Sequence, residues 1–267
     1  MQVIISSFKK NYRINKRAYP FSSMFEKVIS GVISITLSFI LYFIVFKGSL
    51  SEKFITGANT TDYITYIVIG QASYSLIFST LLNVGRSLIS EIREGTIEPL
   101  IISPANKIYY FLGIYLEQFY RTVIEFLVVI FIGMFFKANI TKLNYSYIII
   151  FVILVSISSF SISVFLAAIM VYLRDSYLTQ NTIIISIGLL CGIYFPISYL
   201  PNCIQKFSLL IPFTDLINMF RLSMFSNSIQ IIPGRLCVTL INSFMYFLLG
   251  ITLINRIENK IMENRFS

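Results

Sequence analysis

The chain has 267 residues, of which 56% are hydrophobic and only 12% charged, with a formal net charge of +9. An ordinary soluble domain is about a quarter charged, so the composition excludes a soluble enzyme or binding domain and leaves a polytopic membrane protein. The basic surplus lies between apolar runs, not on a soluble face, which excludes a nucleic-acid-binding surface. Histidine is absent, which removes haem-ligating and HExxH-type zinc chemistry, and the three cysteines (Cys191, Cys203 and Cys237) show no metal-ligand spacing. No catalytic residue and no metal site are expected.

Residues 1–20, MQVIISSFKKNYRINKRAYP, mix Val3, Ile4, Phe8 and Tyr12 with five bases. That is the pattern of a helix lying in the membrane interface with Lys and Arg among anionic headgroups. A disordered basic tail is the alternative, because the periodicity is imperfect. Pro20 separates this segment from the first long apolar run, and no apolar core with a small-residue cleavage site behind it marks a removable signal peptide.

A membrane-crossing helix needs about 20 mostly apolar residues. Six runs qualify, at 28–46, 63–82, 114–136, 147–173, 177–195 and 236–254. The expectation is an all-α membrane protein with six transmembrane helices, whose even number puts both termini on one side. Cytoplasmic loops carry the excess of Lys and Arg. With the N-terminus inside, the inner segments hold Lys9, Lys10, Arg13, Lys16, Arg17, Lys27, Arg86, Arg93, Lys107, Arg174, Arg256, Lys260 and Arg265. The outer segments hold only Lys47, Lys53, Lys137, Lys142, Lys206 and Arg235, so both termini are expected in the cytosol.

Between the second and third runs, residues 83–107 are then cytoplasmic. NVGRSLISEIREG can form a short amphipathic helix with Leu88, Ile89 and Ile92 on one side and Arg86, Glu91, Arg93 and Glu94 around the other. Gly95 is a natural stop for it, and Ser103 with Pro104 a natural start for the next helix. In the third run, Glu117, Arg121 and Glu125 are spaced i, i+4, i+8 and share one helix face. Intramembrane charges face protein or water, so Arg121 pairs with either carboxylate. A structural ion pair, a substrate contact and a proton relay are all open there. Ser156, Ser158, Ser159, Ser161 and Ser163 in the fourth run suit helix packing, against a neighbouring subunit or within this one. Arg174 and Asp175 fall at that run's inner end.

The stretch after the fifth run contains Pro196, Pro201, Pro212 and Pro233, and its apolar pieces are too short to cross. A pair of short re-entrant or interfacial helices fits, with Pro212 opening one and Thr214 or Asp215 available to cap it. Broken backbone survives in lipid only when packed on protein or lining a wet cavity. Cys203 and Cys237 both fall near the outer surface, where a disulfide and two free thiols are alternatives. Tyr66 and Tyr74 in the second run, and Tyr194 and Phe195 ending the fifth, either line a path for an amphipathic molecule or face lipid. With no internal repeat and no linker, residues 1–267 read as one membrane domain.

EIREGTIEPLIISPANK resembles the cytoplasmic loop of type 2 ABC exporter permeases, a Glu-rich segment with Gly-Thr-hydrophobic-Glu that ends in a Ser/Thr-Pro pair. A second set of positions is similar to the same family in the same order: Arg174 and Asp175, Gly192, Phe195 and Pro196, Leu200 and Pro201, Pro212, and the closing Arg221. The resemblance covers nearly the whole chain. It implies the pore-forming half of an ATP-driven exporter in the cytoplasmic membrane of a bacterium. Residues 1–20 would be the interface helix and 86–95, within the 83–107 loop, the coupling helix. Residues 197–225 would be the re-entrant helices of an outer segment extending to 232.

By the same resemblance Arg86, Glu91, Arg93, Glu94, Gly95, Thr96 and Glu98 would meet the ATPase. The partners implied are two ABC ATPase subunits carrying the ATP and Mg, a second permease copy or a homologous permease, and membrane lipid. The chain itself has no Gly-x-x-x-x-Gly-Lys-Ser/Thr phosphate loop and is not expected to hydrolyse ATP. The cargo would be an amphipathic drug, peptide, lipid or lipid-linked glycan. The rival reading, a gradient-driven secondary transporter or channel, wants conspicuous midplane ionisable groups or a filter-like loop, and only Glu117, Arg121 and Glu125 answer to that. A membrane enzyme lacks any histidine, paired carboxylates or nucleophile arrangement.

Overall fold

The computed structural model describes residues 1–18, 22–45, 47–48, 52–58, 62–103, 106–136, 138, 145–173, 177–226 and 233–266. Pro20, Pro104, Arg174 and Asp175 lie outside the described residues. Among those described, the chain is helical and contains no strand. In order the helices are α1 (Gln2–Ala18), α2 (Ser22–Ile40, continued by a π-helical turn at Leu41–Val45), α3 (Glu52–Ala58), α4 (Tyr63–Leu81), α5 (Asn83–Arg93), α6 (Ile97–Ile102) and α7 (Lys107–Phe135). Next come α8 (Tyr145–Leu173), α9 (Tyr177–Leu190), a 3-10 turn at Ile197–Tyr199, α10 (Asn202–Ser208), α11 (Pro212–Ser226) and α12 (Pro233–Phe266). Residues 2–18 are therefore helix, not a disordered tail.

Among the described residues four helices are long and apolar enough to cross a membrane, against the six expected: Tyr63–Arg93, Lys107–Phe135, Ile148–Leu173 and Pro233–Ile257. Among the described residues the first and fifth runs contain shorter apolar helices, Gly31–Ile44 in α2 and Asn181–Leu190 in α9. The 14 residues of α9 reach only about 21 Å at 1.5 Å per residue, against a hydrocarbon core of about 30 Å. The run is cut at Gly192, whose φ of +72° takes the chain out of the helix.

Local chemistry sets the other helix ends. Asp62 caps α4 by accepting from the Thr65 amide (3.1 Å) and hydroxyl (2.6 Å). At α7 the expected start at Ser103 is displaced: Ser103 closes α6, and Asn106 caps α7 by accepting from the Ile108 amide at 2.9 Å. Between α4 and α5 only Leu82 intervenes, at φ −92° and ψ −11°, and the Arg86 amide still donates to its carbonyl at 3.0 Å. The two helices thus form one rod of 31 residues, about 45 Å long. The expected amphipathic helix after the second run is this rod's end.

The α4 rod is central, with 72% of its apolar window buried within the chain, against 28% for α7 and 22% for α12. Val68, Ala72 and Leu76 of α4 form the larger apolar cluster with Phe126 of α7, Phe151 of α8 and Phe220 of α11; the rings of Phe151 and Phe220 stack at 4.0 Å. A second cluster joins Val84 and Leu88 of α5 to Tyr110 and Ile114 of α7, Ala167 of α8 and Ile254 of α12. The serine-rich face of α8 is used inside the chain: Ser158, Ser159, Ser161 and Ser163 are buried, and Ser243 of α12 donates to Ser158 at 2.9 Å.

All three cysteines are free, Cys191 buried and Cys203 and Cys237 exposed, which decides between the two alternatives for the last pair. A maleimide reagent is expected to modify two thiols per folded chain and the third only after denaturation. Mass spectrometry after non-reducing labelling checks this, and a single modified thiol would contradict it.

Candidate functional site

The end of the α4–α5 rod carries the polar constellation singled out in the sequence. There α5 stops in a Schellman arrangement. Gly95 stands at φ +70°, its amide donates to the Ile92 carbonyl (3.2 Å), and the Thr96 amide donates to the Glu91 carbonyl (2.9 Å). Space around the Gly95 Cα is open, so the left-handed backbone alone demands glycine there.

Of the seven residues grouped in this loop, Arg86, Arg93, Glu94, Gly95 and Thr96 are exposed. Ser90 donates to the Glu94 carboxylate at 2.9 Å, holding it along the helix. Glu98 lies in α6, and its side chain is outside the described residues. Glu91 differs from the rest of the group. It is 6% exposed and its carboxylate is engaged within the chain, accepting from Lys10 of α1, from the Thr96 hydroxyl and from the Tyr110 hydroxyl of α7 (2.9 Å). One carboxylate therefore joins three helices and the turn.

A second tether lies further along α7. Glu117 is fully buried and pairs with Arg121 at 2.7 Å, and its other oxygen accepts from Asn15 of α1 at 3.0 Å. The Arg121 guanidinium also lies 6.0 Å from the Tyr12 ring centroid. Of the two carboxylates open to Arg121, the structure selects Glu117. Glu125 turns to α4, where Ser79 donates to it at 3.2 Å. Between the tethers Gly113 lets α1 come close, since a Cβ there would stand 2.5 Å from the Ile4 carbonyl oxygen. The face of α1 against α7 is consequently polar, with Ser7 and Asn11 buried, while Lys9, Arg13, Lys16 and Arg17 are exposed beside Ile5 and Tyr12.

At the opposite end of the rod, Tyr66 and Arg221 are buried against each other. Pro196 and Pro212 are buried and Pro201 exposed, with Pro212 the first residue of α11. Thr214 does not cap its own helix; its hydroxyl donates to the Ser208 carbonyl at 2.7 Å. Asp215 faces Arg235 of α12 at 3.4 Å, and burial outweighs that partner and raises its carboxyl above the usual range. Tyr74 is half-buried, with its ring 6.3 Å from that of the exposed Tyr194, and Phe195 is half-buried beside them.

Sequence reasoning missed Lys10, Asn15, Tyr110 and Gly113. Lys10 was one base among five, and nothing local pairs it with a residue 81 positions away.

The sequence was compared with known proteins. No curated protein matches the chain. The sequence model of the ABC-2 type transporter family matches residues 13–225, which include α5, the Gly95 turn, the Glu117–Arg121 pair and α11. That match takes in most of the 267 residues, and the chain belongs to the ABC-2 type transporter family.

Proposed function

We propose that the chain is the membrane permease subunit of an ATP-driven exporter, one domain over residues 1–267, which moves an amphipathic cargo outward. The energy comes from two ATPase subunits that hold ATP and Mg. The family supports an ABC ATPase as partner. The observation that carries the coupling scheme is the rod: an exposed charged end at Arg86, Arg93 and Glu94 continues directly into the most buried helix of the bundle. A load applied at that end reaches the core without passing through a flexible joint.

In this reading Arg86, Arg93, Glu94 and Glu98 face the ATPase, while Gly95 and Thr96 form the tight turn. Glu91 acts as an internal brace that ties the lever to α1 and α7. Closure of the ATPase pair biases the bundle between two packings; the chain supplies levers and no covalent chemistry. The Glu117–Arg121–Asn15 cluster holds α1 to the bundle, and Tyr74, Tyr194 and Phe195 border the cargo path. Tyr66 is withdrawn from that path because its ring and hydroxyl are engaged by Arg221 and Gly192.

We assign α2 and α9 as the two remaining crossings, with α10 and α11 re-entrant on the outer side and both termini on the cytosolic side of the cytoplasmic membrane. The basic face of α1 meets lipid headgroups. A second permease copy completes the pore across outward apolar residues such as Phe131 of α7 and Phe244 of α12.

The test is extraction of the tagged chain from its native membrane in mild detergent. An ATPase is expected to co-purify with the wild type and to be lost with Glu94→Lys, with no change in the chain's own thermal stability. A chain that comes out alone while neighbouring membrane complexes stay assembled would overturn the reading in favour of a gradient-driven transporter.

A further inference from the structure

The last carbonyls of any α-helix lack intrahelical partners and must be met by something else. At α9 the Leu190 carbonyl is met by another helix, and the carbonyls of the turn that follows α9 are met by two more. The Leu190 carbonyl accepts from the Ser208 hydroxyl of α10 at 2.5 Å. The Gly192 carbonyl accepts from Arg221 Nη1 of α11 (2.5 Å) and from the Tyr66 hydroxyl of α4 (2.9 Å). The Ile193 carbonyl accepts from Arg221 Nη2 at 2.9 Å, and the same nitrogen reaches the Tyr66 carbonyl at 3.3 Å.

The guanidinium carbon stands 3.6 Å from the Tyr66 ring centroid. Arg221 thus holds the turn just past the end of α9, brought from 29 residues downstream of Gly192 and pressed on an aromatic face. Its seat exists because residue 70 is glycine: a Cβ there would stand 2.5 Å from Arg221 Nη2 and 2.5 Å from the Ile193 carbonyl oxygen.

The seat is built of carbonyls and a ring. Among the described residues no carboxylate pairs with this guanidinium, and its Nε is buried without a hydrogen-bond partner. Burying an arginine carries a large desolvation cost, set here against charge-assisted bonds to carbonyls and one cation–π contact. With no carboxylate in the seat, the side chain can leave without breaking an ion pair.

We infer that Arg221 is a latch: seated on Tyr66 and on the carbonyls of the turn after α9, it holds α4, α11 and that turn shut together, and that end of the bundle opens as the guanidinium leaves. That this end is the outer one rests on the orientation proposed above; the latch itself does not.

Cys191, fully buried and next to Gly192, is a native reporter of the seat. In full-length chain carrying Cys203→Ser and Cys237→Ser, the rate of Cys191 alkylation by N-ethylmaleimide is measured in native membranes. A thiol placed by Ala167→Cys, in the other apolar cluster, monitors global unfolding. Arg221→Ala is expected to raise the Cys191 rate by about tenfold or more, the shift that loss of one charge-assisted bond produces, with the thiol at 167 still protected. Tyr66→Phe, which keeps the ring, and Gly70→Ala, which wedges the seat, are expected to raise it as well, and Arg221→Lys to restore part of the protection.

Cys191 staying silent in Arg221→Ala, Tyr66→Phe and Gly70→Ala would overturn the latch. So would joint exposure of both thiols in every variant, since Arg221 would then be a part of the fold and no latch. Wild-type Cys203 and Cys237 failing to react with a membrane-impermeant maleimide on intact cells would instead overturn the orientation, leaving the latch result intact.

Discussion

Glu91→Ala is expected to loosen α1 where Lys10 meets α5, with the Glu117–Asn15 tether still in place, and to uncouple the permease while ATPase association persists. The side chain is 7% exposed, and its removal leaves the Tyr110 hydroxyl of α7 buried without its acceptor and the Thr96 hydroxyl without the bond that closes the turn. Unsatisfied buried groups of this kind cost about 1–3 kcal/mol each, and the sum here is about 2–3 kcal/mol because Thr96 can turn to water. The Lys10 ion pair adds less than its geometry suggests, because Lys10 is 43% exposed and screened by solvent.

Limited trypsin digestion reads the result directly, since Lys9, Lys10 and Arg13 become cleavable once that stretch of α1 loosens. A Lys10→Ala, Glu91→Ala double-mutant cycle isolates the pair itself. If α1 in Glu91→Ala resists trypsin as well as in the wild type, the brace assignment is wrong. Glu94→Lys provides the contrast: an exposed site, expected to shift stability by no more than about 0.5 kcal/mol and to act on the partner alone.

Gly250→Ala is expected to destabilise the bundle strongly for a single added methyl group. Two effects oppose each other. Alanine is the better helix former by about 1 kcal/mol, so an exposed glycine in α12 would gain from the change. At this crossing, however, the new Cβ would stand 2.6 Å from the Phe165 amide nitrogen and 2.9 Å from its Cα. Those are backbone atoms of α8 and have no rotamer to move. The helices must separate, and the Ser243–Ser158 bond at the same contact goes with them. Overpacking of this sort costs up to about 3 kcal/mol, so the steric effect wins.

Thermal challenge in detergent followed by size-exclusion chromatography is the measurement, and a Gly250→Ala chain as heat-resistant as the wild type would contradict it. Gly95 behaves differently, because its surroundings are open and only φ is at stake; Gly95→Asn is expected to carry a backbone cost smaller than that of Gly95→Val, since Asn tolerates the left-handed region best after glycine.

Local chemistry made much of the charged end of the α4–α5 rod and its surroundings legible. Gly95 ends α5 as its position after an amphipathic run implied, Pro212 opens α11, and the charge spacing at 117, 121 and 125 put a pair on one face of α7. Signals that depended on competition between neighbouring residues were misread. Asn106 took the capping role expected of Ser103, and the left-handed Gly192 ends a helix where apolar composition continues to Phe195. The continuity of α4 and α5 through Leu82 was hidden because polarity changes there while the backbone does not.

By itself the sequence determined that the chain is an all-helical membrane protein, where its apolar runs lie and which loop gathers the charge, since these follow from composition, length and turn residues read locally. Only the tertiary structure decided that Lys10 meets Glu91 across 81 positions, Asn15 meets Glu117 across 102, and Arg221 meets Tyr66 across 155. The reason lies in the solvent: a helix such as α8 is apolar on every side, so no hydrophobic stripe announces which face is buried. Helix rotation and pairing are then set by small residues, close backbone crossings and scattered polar groups, whose partners become visible only once the helices are in contact.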